Sequence, residues 1–164
     1  WSAVADGIRS CVSHGAGVIN MSLGGSSGST LVELAVVDAI AAGVILVAAA
    51  GNESTSVSYP AKYPGVLAVS AVDSNLQFAS FSNFGPEIAF AAPGVSVLST
   101  TKGSTYATFS GTSMASPHVA GVAALKIASN SLGLLADDIG LSSDRQGAGL
   151  INALKTVQNQ PIVP

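Results

Sequence analysis

The chain has 164 residues, 48% of them hydrophobic and 9% charged, and carries a net charge of −3. That length supports one domain with its own core, and that composition excludes a disordered, solvating chain. No Lys/Arg cluster speaks for nucleic acid, and no apolar run free of Gly, Asp or Glu is long enough to span a membrane.

In chain order, residues 2–15 predict an amphipathic helix with Val4, Ile8 and Val12 at helical spacing. Cys11 is the only cysteine, so it reads either as a small buried apolar residue or as half of a bridge to a cysteine outside this sequence. Val18, Ile19 and Met21 make a short strand, followed by the loop Leu23-Gly24-Gly25-Ser26-Ser27-Gly28. Thr30 with Glu33 has the spacing of a capping box. It opens a helix containing Leu31, Leu34, Val37, Ile40 and Ala41, which Gly43 ends. Val44 to Val47 is apolar throughout, as in a strand covered on both sides, and runs into Ala48-Ala49-Ala50-Gly51-Asn52. A helix between two apolar strands is a βαβ unit and predicts a parallel sheet.

Tyr59-Pro60-Ala61-Lys62-Tyr63-Pro64 reads as a rigid loop and Val66 to Val72 as a third strand. Val95 to Thr100 and Tyr106 to Ser110 flank a turn and predict a hairpin. A long helix is expected from Thr112 to Ala128, irregular chain with at most a short helix over 130–148, and a final helix over Gly149 to Val157. The expected fold class is α/β: three layers, a mostly parallel sheet with helices on both faces.

In an open parallel sheet, sites form beyond the carboxyl ends of the strands. Gly24-Gly25 and Gly51-Asn52 both lie there, and Ser113 lies at the start of the long helix, where free N–H groups and the helix dipole favour negative charge. A serine attacking a carbonyl generates an oxyanion, which the Ser113 N–H and the Asn52 amide could hold. Pro117 lacks the N–H that would bond the Ser113 carbonyl, so this turn is released from regular helical bonding. Taken singly, Ser113 also suits a helix cap and Asn52 a turn.

The longer strings narrow the reading. Gly111-Thr112-Ser113-Met114-Ala115-Ser116-Pro117-His118-Val119-Ala120-Gly121 resembles the nucleophile motif of the subtilisin family. Ala48-Ala49-Ala50-Gly51-Asn52-Glu53 resembles its oxyanion segment, and Asn20-Met21-Ser22-Leu23-Gly24-Gly25 its substrate-binding strand. Ala91-Ala92-Pro93-Gly94 and Gly149-Leu150-Ile151-Asn152 follow in family order. The resemblance covers residues 1 to 157 and implies that 1–164 is the C-terminal portion of a subtilisin-like peptidase domain, secreted or extracellular, acting on peptides or proteins. It implies Ser113 as nucleophile and Asn52 as oxyanion donor. Ser22, Leu23 and Gly24 would pair with an extended substrate, while Ala49, Ala50 and Gly51 would wall the pocket for the residue before the cleaved bond. Ser58 would lie near that pocket's base and Glu53 at its rim.

The family's aspartate and histidine lie upstream of the matched region, and neither of their strings occurs here. His118 belongs to the nucleophile motif as a structural residue, and His14 sits at a helix end. A separate N-terminal chain supplying Asp and His is one expectation, and the chain alone is expected to be inactive. The alternative is a non-catalytic scaffold or one half of a nicked protease; the start at Trp1 rather than Met suggests that something upstream was removed. The family's cation site near the Tyr59–Pro64 loop uses an aspartate where this chain has Ala89. That departure puts the cation site in doubt: none of these residues is assigned as a metal ligand, and calcium stays open for the missing part of the family domain. The stretch after Ala124 is shorter than usual, with only Leu135 to Gly140 resembling the family's end, so an open apolar patch is expected there. An α/β-hydrolase would need an acid and a histidine after the serine, and only His118 follows. A nucleotide-binding module is poorly supported, because Gly24-Gly25-Ser26-Ser27-Gly28 lacks a phosphate-loop signature.

Overall fold

A computed structural model describes residues 1–128 and 134–158. The elements run α1 (Ser2–Ser13), β1 (Val18–Met21), α2 (Thr30–Ala41), β2 (Ile45–Ala49), β3 (Val66–Val72), β4 (Ile88–Pro93), β5 (Val97–Thr101), β6 (Thr105–Phe109), α3 (Thr112–Ala128), β7 (Ala136–Asp137), α4 (Ser143–Gln146), β8 (Leu150–Ile151) and α5 (Ala153–Gln158). The main sheet has the order β1-β2-β3-β4-β8-β7, and β5 with β6 forms a separate antiparallel hairpin. β1 to β4 and β8 are parallel; only the short β7 runs against β8.

The buried alternation of β2 and β3 explains the layers. Leu46, Ala48, Val66 and Ala68 face one way and pack with Ala5 and Ile8 of α1 and Val32, Ala35, Val36 and Ala39 of α2. Val47, Val69 and Ala71 face the other way and pack against Ala115 and Val119 of α3. The expected three-layer α/β fold is therefore observed, with both faces of a parallel sheet covered.

Several local expectations are corrected. Ser29, not Thr30, occupies the α2 N-cap position, and no side chain caps the helix. Leu31, Leu34, Val37 and Ile40 point to solvent, while the smaller Ala35 and Ala39 face the sheet. Both stripes of α2 are apolar, so periodicity alone does not choose between them; the alanines allow closer approach. β4 goes unpredicted because its Phe90-Ala91-Ala92 core carries no β-branched residue. The final helix begins only at Ala153, because Leu150 and Ile151 pair with β4 and β7. Asn152 receives the Lys155 N–H at 2.8 Å and so caps α5. Of the segment 130–148, residues 130–133 lie outside the described residues; the rest holds β7 and α4. Asp137 bonds Lys155 and Asn152, which hold its carboxyl below the usual carboxylate range. Cys11 is exposed rather than buried. Leu125, Ile127, Leu135 and Leu154 are exposed near the chain's end, where an open apolar patch was expected.

Candidate active site

Three chain segments meet beyond the carboxyl ends of β1 and β2. The first is the start of α3, where Gly111 anchors the approach by donating its N–H to the Gly94 carbonyl at 2.8 Å. Ser113 follows in the first turn, half-buried, its N–H bonding no acceptor among the described residues. Pro117 offers no N–H to the Ser113 carbonyl, as expected. The Ser22 hydroxyl takes that place and donates to the carbonyl at 2.9 Å. Ser22 Oγ itself accepts from Asn20 Nδ2 at 2.9 Å, and Asn20 Oδ1 accepts from Ser116 Oγ at 2.5 Å. The end of β1 is thus stitched to the first turn of α3 by three side chains, of which only Ser22 stands out in the sequence, and there for a substrate contact. Ser22→Ala should orphan the Ser113 carbonyl at a cost of about 1 kcal/mol. Thermal melting of the chain is expected to fall by about 2–4 °C; an unchanged midpoint would show that water replaces the hydroxyl without loss.

The second segment is the turn after β2. Asn52 Oδ1 accepts both the Thr112 N–H at 2.8 Å and the Thr112 hydroxyl at 3.0 Å. That hydroxyl accepts the Gly51 N–H at 3.1 Å, and Thr112 is fully buried. Two donors on Oδ1 fix which way the amide faces. Nδ2 is left with no acceptor among the described residues, and Asn52 lines the same cavity as Ser113. An unpaired amide donor, a free helix N-terminal N–H and the positive end of the α3 dipole therefore share one cleft.

The third segment is Ser22-Leu23-Gly24. Among the described residues no backbone bond holds its N–H and C=O groups, and the Ser22 carbonyl has only a long contact from Ser113 Oγ at 3.4 Å. Immediately after it, Gly25 and Tyr59 exchange two backbone bonds of 2.9 Å each, which tie the two walls together. Between them lies a cavity of about 410 Å³ lined by Leu23, Gly24, Ala49, Gly51, Asn52, Glu53, Ser58 and Ser113, with Gly25, Ser26, Thr55 and Thr112. Ala50 does not line it: its side chain is buried, and its carbonyl accepts the Ser58 N–H at 2.8 Å.

Gly51 sits at φ +110°, where side chains are strained. A Cβ there would collide with Asn83 Nδ2 and come within 2.6 Å of Ser58 Oγ and 2.8 Å of Glu53 Oε2. Gly51→Ala is expected to destabilise the fold by about 1–3 kcal/mol and to displace Asn52. Denaturant unfolding checks this; a midpoint within error of the parent would contradict it.

Neither histidine is bonded to Ser113. His14 Nδ1 is held at 2.8 Å by the Ser10 carbonyl at the end of α1. His118 Nδ1 contacts the Met114 carbonyl of its own helix at 2.9 Å. Its ring does line a second cavity of about 490 Å³ together with Ser113, Met114, Pro117 and the hairpin residues Leu98 and Phe109. Spacing on the helix alone does not reveal that neighbourhood. Ala89, where the family has an aspartate, supplies no side-chain oxygen. The nearby Glu87 already faces the Lys62 ammonium at 3.7 Å, with its Oε2 buried and unpartnered. Among the described residues no group of three or more His, Cys, Asp and Glu side chains comes together. No helix among them is long and apolar enough to cross a membrane.

A parallel sheet covered on both faces, with a helix-start serine and a fixed amide at its carboxyl edge, defines a subtilisin-like α/β architecture. The sequence profile of the Subtilase family, Peptidase_S8, matches residues 2–141. The chain belongs to that family of serine proteases. It is 48% identical to subtilisin DY of Bacillus licheniformis over 96% of its own length and 63% of that relative. It is 58% identical to a thermostable alkaline protease of Halalkalibacterium halodurans over 76% of its length and 35% of that protein. Among solved structures, the prenylagaramide maturation protease PagA matches with a TM-score of 0.80 at 26% identity, over 95% of this chain and 66% of that one. The chain thus spans less than two thirds of either curated relative.

Proposed function

We propose that this chain is the nucleophile-bearing part of a serine endopeptidase. Ser113 Oγ attacks the carbonyl carbon of a peptide bond, and its proton passes to a base supplied from outside these 164 residues. The carbonyl oxygen becomes an oxyanion between the Ser113 N–H and Asn52 Nδ2. The C–N bond then breaks, the leaving amine takes the proton from the base, and water later hydrolyses the acyl-enzyme. The observation that carries this reading is the Asn52 amide, turned by Thr112 so that its unpaired donor shares a cleft with Ser113.

The free backbone of Ser22-Leu23-Gly24 suits an extended peptide added as a strand. Leu23, Ala49 and Gly51 leave a pocket with apolar walls and Ser58 and Glu53 as its polar groups. The enzyme is expected to prefer a large apolar residue before the cleaved bond, with lysine tolerated beside Glu53. A peptide library strongly favouring acidic residues there would contradict this. Secretion, as the family resemblance implies, belongs to the same proposal, as does any calcium bound in the missing part of the family domain. So does the source of the acid and base, whether an upstream segment of the same polypeptide or a separate chain.

The second reading, a scaffold without catalysis, is favoured by one observation: Ser113 bonds neither histidine of the chain. Cleavage of a chromogenic peptide by the complete protein, abolished in Ser113→Ala, supports the endopeptidase. Cleavage that is absent from the parent, or that survives Ser113→Ala, overturns it.

A further inference from the structure

No motif marks Asn83, yet it is fully buried beneath the cavity. Its side-chain oxygen accepts the Glu53 N–H at 2.9 Å and the Thr55 N–H at 3.1 Å. Its amide nitrogen donates to Glu53 Oε2 at 2.9 Å, to the Ala50 carbonyl at 3.1 Å and to Ser58 Oγ at 3.2 Å. Three acceptors share the two N–H groups of this amide, so one N–H is bifurcated, while its oxygen accepts two bonds. It joins the end of β2, both the main chain and the carboxylate of Glu53, and the Ser58 hydroxyl.

Glu53 is itself exposed. A surface glutamate ordinarily samples several rotamers, and holding it still costs entropy. Here two N–H donors, from Asn83 and from the Asn52 backbone at 2.9 Å, converge on the same oxygen, Oε2. Bonds of this kind to an ionised acceptor are about twice as strong as neutral ones. Oε1 carries no bond among the described residues, and Glu53 lines the cavity.

We infer that Asn83 is a positioning residue for substrate selection: it holds the Glu53 carboxylate against the cavity, so that a cationic side chain before the cleaved bond meets a fixed negative charge. The stem of a lysine would lie along Leu23 and Ala49 while its ammonium reaches Glu53. Without Asn83 the carboxylate turns to solvent, and the pocket keeps its apolar walls but loses its fixed charge. The inference rests on the protease reading of the same cleft.

The test compares, in the complete enzyme, two peptides that differ only in lysine or phenylalanine before the cleaved bond. Asn83→Ala is expected to lower kcat/KM for the lysine peptide about tenfold relative to the phenylalanine peptide, mainly through KM. In a Glu53→Gln background the same substitution is expected to leave the ratio unchanged, since the two residues act as one unit. Asn83→Ser, which keeps a small polar side chain, serves if Asn83→Ala does not fold and is expected to shift the ratio the same way. Equal losses on both peptides, an unchanged ratio, or a full further shift in the Glu53→Gln background overturns the inference and makes Asn83 a purely structural residue. Cleavage that survives Ser113→Ala overturns the protease reading itself, and this inference with it.

Discussion

The chain of 164 residues, purified alone, is expected to show no measurable turnover of peptide or ester substrates. Among the described residues Ser113 Oγ has only the long contact to the Ser22 carbonyl, and both histidine Nδ1 atoms are bound to helix carbonyls. Without a base the serine is a neutral alcohol and a weak nucleophile. Loss of the histidine lowers kcat by about 10⁶, a magnitude measured on a subtilisin and carried over to this relative. Oxyanion stabilisation and binding leave about 10³–10⁴ over water, too little for a routine assay of a bond that breaks slowly uncatalysed. The chain alone is also expected to self-associate. β1 is an edge strand of the main sheet, and a groove lined by Val4, Ile8, Ile19 and Met21 opens beside it. Clear turnover by the isolated chain, abolished by Ser113→Ala, would mean that a base is present, and His118, which shares a cavity with Ser113, would be the first to reconsider.

In the complete enzyme, Asn52→Ala is expected to lower kcat by about 10²–10³ with little change in KM, a cost measured for this kind of donor on a subtilisin. The amide nitrogen has no acceptor among the described residues, so on this account it gains its bond only when the carbonyl becomes tetrahedral. Steady-state kinetics separate the outcomes. A raised KM with unchanged kcat would make Asn52 a ground-state contact and refute its assigned role. Thr112→Val offers an internal comparison, because it removes the hydroxyl donor to Oδ1 while leaving the N–H bond of 2.8 Å. Its loss in kcat is expected to be smaller than that of Asn52→Ala.

The two prominent candidate site residues are legible because the features that mark them lie in contiguous strings. Ser113 opens a helix behind Gly111, and Asn52 follows a strand and a glycine, features that local sequence states directly. The supports were not legible. Thr112, Asn20 and Asn83 act on residues distant in sequence, and nothing in their own neighbours announces those partners. The inward face of α2 was hidden for another reason: its two stripes are both apolar, and only packing against β1 and β2 selects Ala35 and Ala39. The resemblance implies Ala50 in the pocket wall with its neighbours, but its side chain lies in the core, just past the end of β2. β4 and β8 are short or alanine-rich, and it is their pairing with neighbouring strands that defines them.

The central claim is that Ser113 is a nucleophile whose base comes from outside this chain. Intact mass spectrometry after fluorophosphonate treatment tests it most directly, on the complete enzyme, its Ser113→Ala variant and the isolated chain. The account predicts one phosphonyl adduct, mapped to Ser113, in the complete enzyme and none in the other two. Rapid labelling of the isolated chain at Ser113, or an adduct that persists in Ser113→Ala, would contradict it.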